Sequence, residues 1–381
     1  MKKHISELIF ESINRGKVLK KLIPHPLKYA EFSSLSERCT AKIDSIIREL
    51  ESLQEEINTT HDECELRYIY RQYRICYREL DWIEHSGVTV LKFENESMVY
   101  LNKLLFKICR EINLPLGIPN IASFSNKYYY YVPLTNVIFV PLAESEFLLH
   151  LPDIYHELGH YVSHKKDELS LKEINSAYIN CINIVTQYYT KQLEQRMLTN
   201  CPQTIKINTM IIHRLWKENW FEEFFCDVFA TCLMGSAYAW AHMHLISKYG
   251  HNVCEFNITQ NTSHPSDESR LRIMLICLEK LGFSDEAKKI KSKWKENLLV
   301  KNSHPEPQYH EAYPDELLNL ISEKLIEGIK RTSLTLVKKG DDSDTISNLI
   351  NNAWGDFWKE NETFRVIELE YIKKIKGLVL N

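Results

Sequence analysis

Glycine is scarce in this 381-residue chain, with 11 positions, and proline adds only 12. Usual glycine content is roughly 7%, so turns are few and elements long, which favours a mainly helical protein. Neither charge sign is in large excess. Lys and Arg number 47 against 51 Asp and Glu, giving a net charge of -4 and a pI near 6.4. No general field therefore draws the chain to nucleic acid or to an anionic membrane. The ten cysteines include no C-x-x-C pair, and the N-terminus meets Ser6, Glu7 and Glu11 before any apolar run long enough for an export signal. Reduced, buried thiols in a cytoplasmic protein are expected. At 44% hydrophobic and 26% charged, the composition excludes wholesale disorder and a small disulfide scaffold, and the length allows two or three domains. No internal repeat or low-complexity tract occurs.

From Ser36 to His85 two helical seams follow one another. Ile43, Ile46, Leu50, Leu53 and Ile57 form the first; Leu66, Ile69, Tyr73, Cys76, Leu80 and Ile83 form the second. Thr60 and Glu63 fit a capping box for the second helix. The pattern predicts an antiparallel helical hairpin, so that residues 36–85 offer an oligomerisation or partner-binding element. A further helix is predicted from Glu94 to Ile112, ended by the Leu114–Pro119 turn cluster. Ala122 to Val132 and Asn136 to Val140 are the β-rich stretches. Helices are expected at 152–165, 170–198, 206–246, 265–281 and 285–299, and from about 314 onward. The expected division is a helical hairpin region at 1–93, a central domain at 94–303 and a helical extension at 304–381, beginning near His304-Pro305-Glu306-Pro307. Phe224 to Ile246 approaches membrane-spanning length, yet Asp227 one turn in argues for a buried helix and no membrane span.

Three motifs carry chemistry. In His156-Glu157-Leu158-Gly159-His160 the histidines fall on one helix face about 6 Å apart, so both can reach one zinc ion. The intervening Glu157 suits the general base that takes a proton from a metal-bound water. A zinc site that works on substrate needs a third protein ligand and an open position. Within Trp220–Asp227, Glu223 and Asp227 lie four apart among aromatics, where charges are costly unless paired or metal-bound. Glu223 could bind the metal while Asp227 accepts the outer N–H of a ligating histidine. Glu222 competes with Glu223, because sequence does not fix the register. The third motif is Ser263-His264-Pro265-Ser266-Asp267-Glu268-Ser269-Arg270, a helix start by itself.

Taken together, H-E-x-x-H, then E-x-x-x-D, then H-P-x-x-x-x-R resemble the gluzincin zinc metallopeptidases of the heat-shock and CAAX-prenyl endopeptidase family, over roughly residues 94–300. The resemblance implies a zincin-like core of mainly α, α+β class with a small sheet. It implies one zinc per chain held by His156, His160 and Glu223, with Glu157 as general base and Asp227 orienting a ligand. Arg270 or His264 would then donate to the tetrahedral oxyanion, and Asn136 to Val140 would be the edge strand that pairs with an extended peptide. Enzymes of that family are typically embedded in membranes, and this chain has no clear transmembrane helix; its hairpin and tail lie outside the resemblance.

Other residues suit metal less well. His164 would be a fourth ligand and close the site. His242 and His244 are two apart and face different sides of a helix, with His251 beyond Gly250. Glu173 is a rival third ligand without a matching Asp. No phosphate loop, serine elbow or reactive-cysteine signature is present. The expected function is a zinc-dependent endopeptidase acting on a protein or peptide, with a regulatory protein as one fitting target. The alternative of a different class is a silent zincin-like scaffold or protein-binding module.

Overall fold

The computed structural model describes residues 2–60, 62–125, 128–199, 201–248, 252–255, 264–359 and 363–380. The chain is mainly helical with one small sheet, as composition predicts, and it divides into two compact units.

The first unit holds residues up to 106 and 118–145. Its helices are α1 (Lys2–Leu22), α2 (Ser33–Thr59), α3 (Glu63–Ile83), α4 (Thr89–Lys92) and most of α5 (Glu96–Glu111). The two predicted seams are buried, and α2 and α3 form the expected hairpin, with α1 laid against them. Close approach is possible because Gly16 has no side chain: a Cβ there would lie 3.0 Å from Cγ1 of Ile47. The capping box at Thr60 does not form. Asp62 caps α3 instead, its carboxylate accepting from the Cys64 N–H at 2.9 Å, while Thr60 ends α2 and its hydroxyl donates to Glu65. An Asp directly before the helix reaches the orphan N–H that Thr60 is too far back to serve.

Three strands follow, β1 (Asn120–Ser125), β2 (Tyr130–Val132) and β3 (Val137–Pro141), in the order β1-β3-β2. β3 runs parallel to β1 and antiparallel to β2. The strand expected to be a substrate-pairing edge is therefore the central one. Val137, Ile138, Phe139 and Val140 are all buried, and a continuous apolar run is what a strand covered on both faces requires. Asn102 of α5 occupies the outer side of β1, donating to the Ile121 carbonyl at 2.8 Å and accepting from its N–H at 3.1 Å.

The second unit holds residues 107–117 and 146–381. It contains α6 (Asp153–Lys165), α7 (Lys172–Leu198), α8 (Gln203–Leu215), a π-helical turn (Trp216–Trp220), α9 (Phe221–Met234) and α10 (Ser236–Ser247). Then come α11 (Asp267–Lys280), α12 (Ser284–Lys301), α13 (Pro307–Ala312), α14 (Asp315–Lys330), α15 (Ile346–Lys359) and α16 (Phe364–Leu380). The single helix predicted over 206–246 is thus broken twice. Gly235, at φ 79°, ends α9 in a conformation that other residues rarely adopt. Among the described residues no helix is long and apolar enough to cross a membrane.

This grouping differs from the three segments expected. The sheet belongs with the N-terminal helices, and residues 304–381 belong with the H-E-x-x-H helix. Leu317, Leu318, Ile321, Leu325 and Ile329 of α14 are buried against α7, α9 and α11, too much apolar surface for a detached extension. Buried Glu368 of α16 accepts from the Leu148 N–H at 2.8 Å and from Arg365 at 2.6 Å, fixing the segment that leads into α6.

Candidate metal centre

α6 and α9 lie against each other at very short range. Gly159, inside the H-E-x-x-H motif, makes this contact possible, since a Cβ there would sit 2.8 Å from the Cys226 Cα. Gly159→Ala is accordingly expected to force the helices apart and to destabilise the protein by about 1–3 kcal/mol, despite alanine's better helix propensity. A urea unfolding midpoint equal to or above that of the unsubstituted chain would contradict this packing argument.

The histidines of α6 face α9, their rings 4.9 Å apart between centroids and nearly perpendicular. Opposite them, Glu223 and Asp227 are buried among Phe221, Phe224, Phe225 and Phe229. The Glu223 carboxylate spans both rings: Oε2 is 3.4 Å from His156 Nε2 and Oε1 is 3.4 Å from His160 Nε2. Glu223 Oε2 is buried and makes no hydrogen bond. Ligands of a tetrahedral zinc bonded at about 2.0–2.1 Å are separated by about 3.3–3.4 Å. The two Glu223 distances are of that size, and among the described residues the group whose ligand atoms lie within 4.8 Å of one another is His156, His160 and Cys226.

Each imidazole has a second carboxylate on its other nitrogen. His156 Nδ1 is 3.1 Å from Asp227 Oδ1, and His160 Nδ1 is 3.5 Å from Glu222 Oε1. The register thus puts Glu223 between the two histidines and Glu222 on the outer side of His160, where it also lies 3.9 Å from His164 Nε2. His164 is half exposed and takes no place among the inner ligands. Such carboxylate partners fix the tautomer and ring orientation of a ligating histidine.

Arg270 of α11 clamps the arrangement. Its Nε donates to Asp227 Oδ2 at 2.9 Å and its Nη2 to Oδ1 at 2.7 Å, while Nη1 lies 3.5 Å from Glu223 Oε2. Burial alone would raise both carboxyls, but the Arg270 charge holds each far below the usual carboxylate range. Burial also lowers the His156 imidazole, and the neighbouring Asp227 and Glu223 carboxylates outweigh this and lift it to about 10. Burial raises Glu157, with the charges of His160 and His156 opposing. His264 is more exposed, with Nε2 3.5 Å from Glu223 Oε1. Ser263 lies outside the described residues.

Two members of the cluster are not apparent from sequence. Tyr238 of α10 donates to Asp227 Oδ1 at 2.6 Å and sits 3.0 Å from His156 Nδ1. Only the chain reversal at Gly235 brings it there, and no motif spacing announces it. Cys226 is buried, with its sulfur within 4.8 Å of ligand atoms of His156 and His160; burial pushes its thiol up to about 12. Glu173 is elsewhere, at the start of α7 beside Lys172. His242 lies 3.4 Å from the Asp267 carbonyl and His244 stacks on His150, neither joining the cluster. His251 lies outside the described residues.

Comparison with known proteins gives no match: no family model, curated protein or solved structure is significantly similar to this chain.

Proposed function

We propose that the chain is a zinc-dependent endopeptidase with a zincin-like core, in keeping with its motif resemblance to the heat-shock and CAAX-prenyl endopeptidases. The observation that carries this reading is the Glu223 carboxylate, set 3.4 Å from the inner nitrogen of both H-E-x-x-H histidines. His156, His160 and Glu223 hold the metal, which when bound supplies Lewis acidity and a water acidified to a pKa of about 7. With three protein ligands such a metal would keep room for substrate. Glu157 takes the proton of the attacking water at its carboxylate and passes it to the leaving amine; a carboxyl raised by burial is suited to that exchange. Asp227 and Glu222 hold the histidine rings in place, and Tyr238 and Arg270 hold Asp227. Since Arg270 commits Nε and Nη2 to Asp227, it is a positioning residue, and the more exposed His264 is the better donor to the oxyanion.

Cys226 supports a second reading, in which thiolate and carboxylate both ligate and the closed centre is structural. Metal analysis and cobalt substitution separate the two. About one zinc per chain is expected, lost in His156→Ala and in His160→Ala, and Glu223→Ala should weaken it more than Glu222→Ala. Full occupancy in both histidine variants would sink the metal assignment. The cobalt form should lack a thiolate-to-metal charge-transfer band; a strong band abolished by Cys226→Ser would establish the closed centre instead.

A further inference from the structure

The exposed side of α3 has a second periodic pattern, opposite the seam that faces α1 and α2. Tyr68, Arg71, Ile75, Arg78 and Trp82 recur by three and four residues, and Arg67 and Arg74 lie beside them. All seven side chains are exposed; the large apolar ones are accessible to 58% at Tyr68, 41% at Ile75 and 51% at Trp82. An alternation of three and four is the spacing by which one helix faces another, and three large apolar residues one heptad apart exceed what a solvated face requires. The positive charges are largely unspent. Arg67 is 3.8 Å from Glu63 across one helical turn, and Arg78 Nε donates to the Arg74 carbonyl. Among the described residues, Arg71 and Arg74 have no carboxylate within ion-pair distance.

We propose that this face of α3 docks an acidic amphipathic helix of another protein. The arginines from 67 to 78 cover about 16 Å, three helical turns. Asp62, Glu63 and Glu65 precede them, and Glu79 and Asp81 follow. A nucleic-acid strand tracking along the helix would meet those carboxylates at both ends, whereas a short acidic helix matches the basic length and stops there. Ile75, in the middle, offers nothing for base stacking but fits between side chains of a facing helix. A second copy of the chain is the poorest occupant, since two-fold pairing centred on the basic stretch would set Arg71 against Arg78 and Arg78 against Arg71. Arginine at every basic position of α3, with no lysine, suits bidentate pairing with carboxylates. This inference stands independently of the metal centre.

The test uses the full chain and a fluorescein-labelled synthetic helix of about three heptads, with leucine at alternating three- and four-residue spacing, glutamate flanking it over the central three turns and neutral residues beyond. Fluorescence anisotropy should show saturable binding that weakens as salt rises. Arg71→Glu/Arg74→Glu should lower affinity by about tenfold or more, and Ile75→Asp should do likewise. These side chains are exposed, so circular dichroism and unfolding midpoint should stay unchanged, and Arg71→Gln/Arg74→Gln gives the same reading without added acidity. Absence of binding, or equal affinity in the charge-reversed chain, would overturn the proposal. So would displacement of the peptide by a single-stranded oligonucleotide that binds more tightly, or sedimentation as a dimer that Arg71→Glu/Arg74→Glu dissociates.

Discussion

Substituting glutamine for Glu157 is expected to leave zinc bound while lowering peptide hydrolysis by about 10²–10⁴-fold, the usual contribution of a positioned proton acceptor. Glutamine keeps the shape of the side chain and removes its capacity to take a proton. Glu157 is buried on α6 between the two histidines, and burial raises its carboxyl while His160, His156 and Arg270 oppose the rise. A structural centre has no use for such a group. Zinc content, measured on the same preparation, separates the loss of a base from the loss of the metal. Turnover equal to that of the unsubstituted chain on any peptide it cleaves would remove Glu157 from the role. A fully metallated chain without hydrolytic activity would favour the scaffold reading.

Arg270→Ala is expected to destabilise the fold by about 3–5 kcal/mol, the cost of stripping the partner from a buried charge. Asp227 is fully buried and receives two hydrogen bonds from Arg270, at 2.9 and 2.7 Å, beside the one from Tyr238 at 2.6 Å. Without the guanidinium, the carboxylate keeps its desolvation and loses its counterion. Were Arg270 engaged only in an exposed pair on its own helix, the same substitution would be nearly silent. Asp227→Asn combined with Arg270→Ala should recover part of the loss, because the orphaned charge is then gone. A denaturation free energy within about 1 kcal/mol of the unsubstituted chain for Arg270→Ala would refute the clamp.

The α2–α3 hairpin and the pairing of His156 with His160 were legible because each rests on a local period, three or four residues along one helix. The assembly around Asp227 was not. Tyr238 and Arg270 reach it from α10 and α11, through a reversal at Gly235 and a helix start that no short-range pattern ties to α9. The β3 strand was misplaced for a different reason: an apolar run announces burial, but edge and centre are settled by neighbours, and β1 and β2 flank it on both sides. The boundary expected at His304-Pro305-Glu306-Pro307 rested on turn residues, and these do not interrupt the packing of α14 on α7, α9 and α11.

The π-helical turn at Trp216–Trp220 explains why the choice between Glu222 and Glu223 resisted sequence reasoning. A π turn takes up one residue more than an α turn, so everything after it is rotated by roughly 100° relative to an unbroken helix. An uninterrupted helix continuing α8 would aim Glu222 at the histidines; the wider turn aims Glu223. The same geometry bears on kinship. A chain one residue shorter in this stretch would present the same glutamate and aspartate from a straight helix, with the two motifs one position closer along the sequence. Distant cousins of this protein are then better sought by the facing pair of helices than by a fixed interval between H-E-x-x-H and E-x-x-x-D.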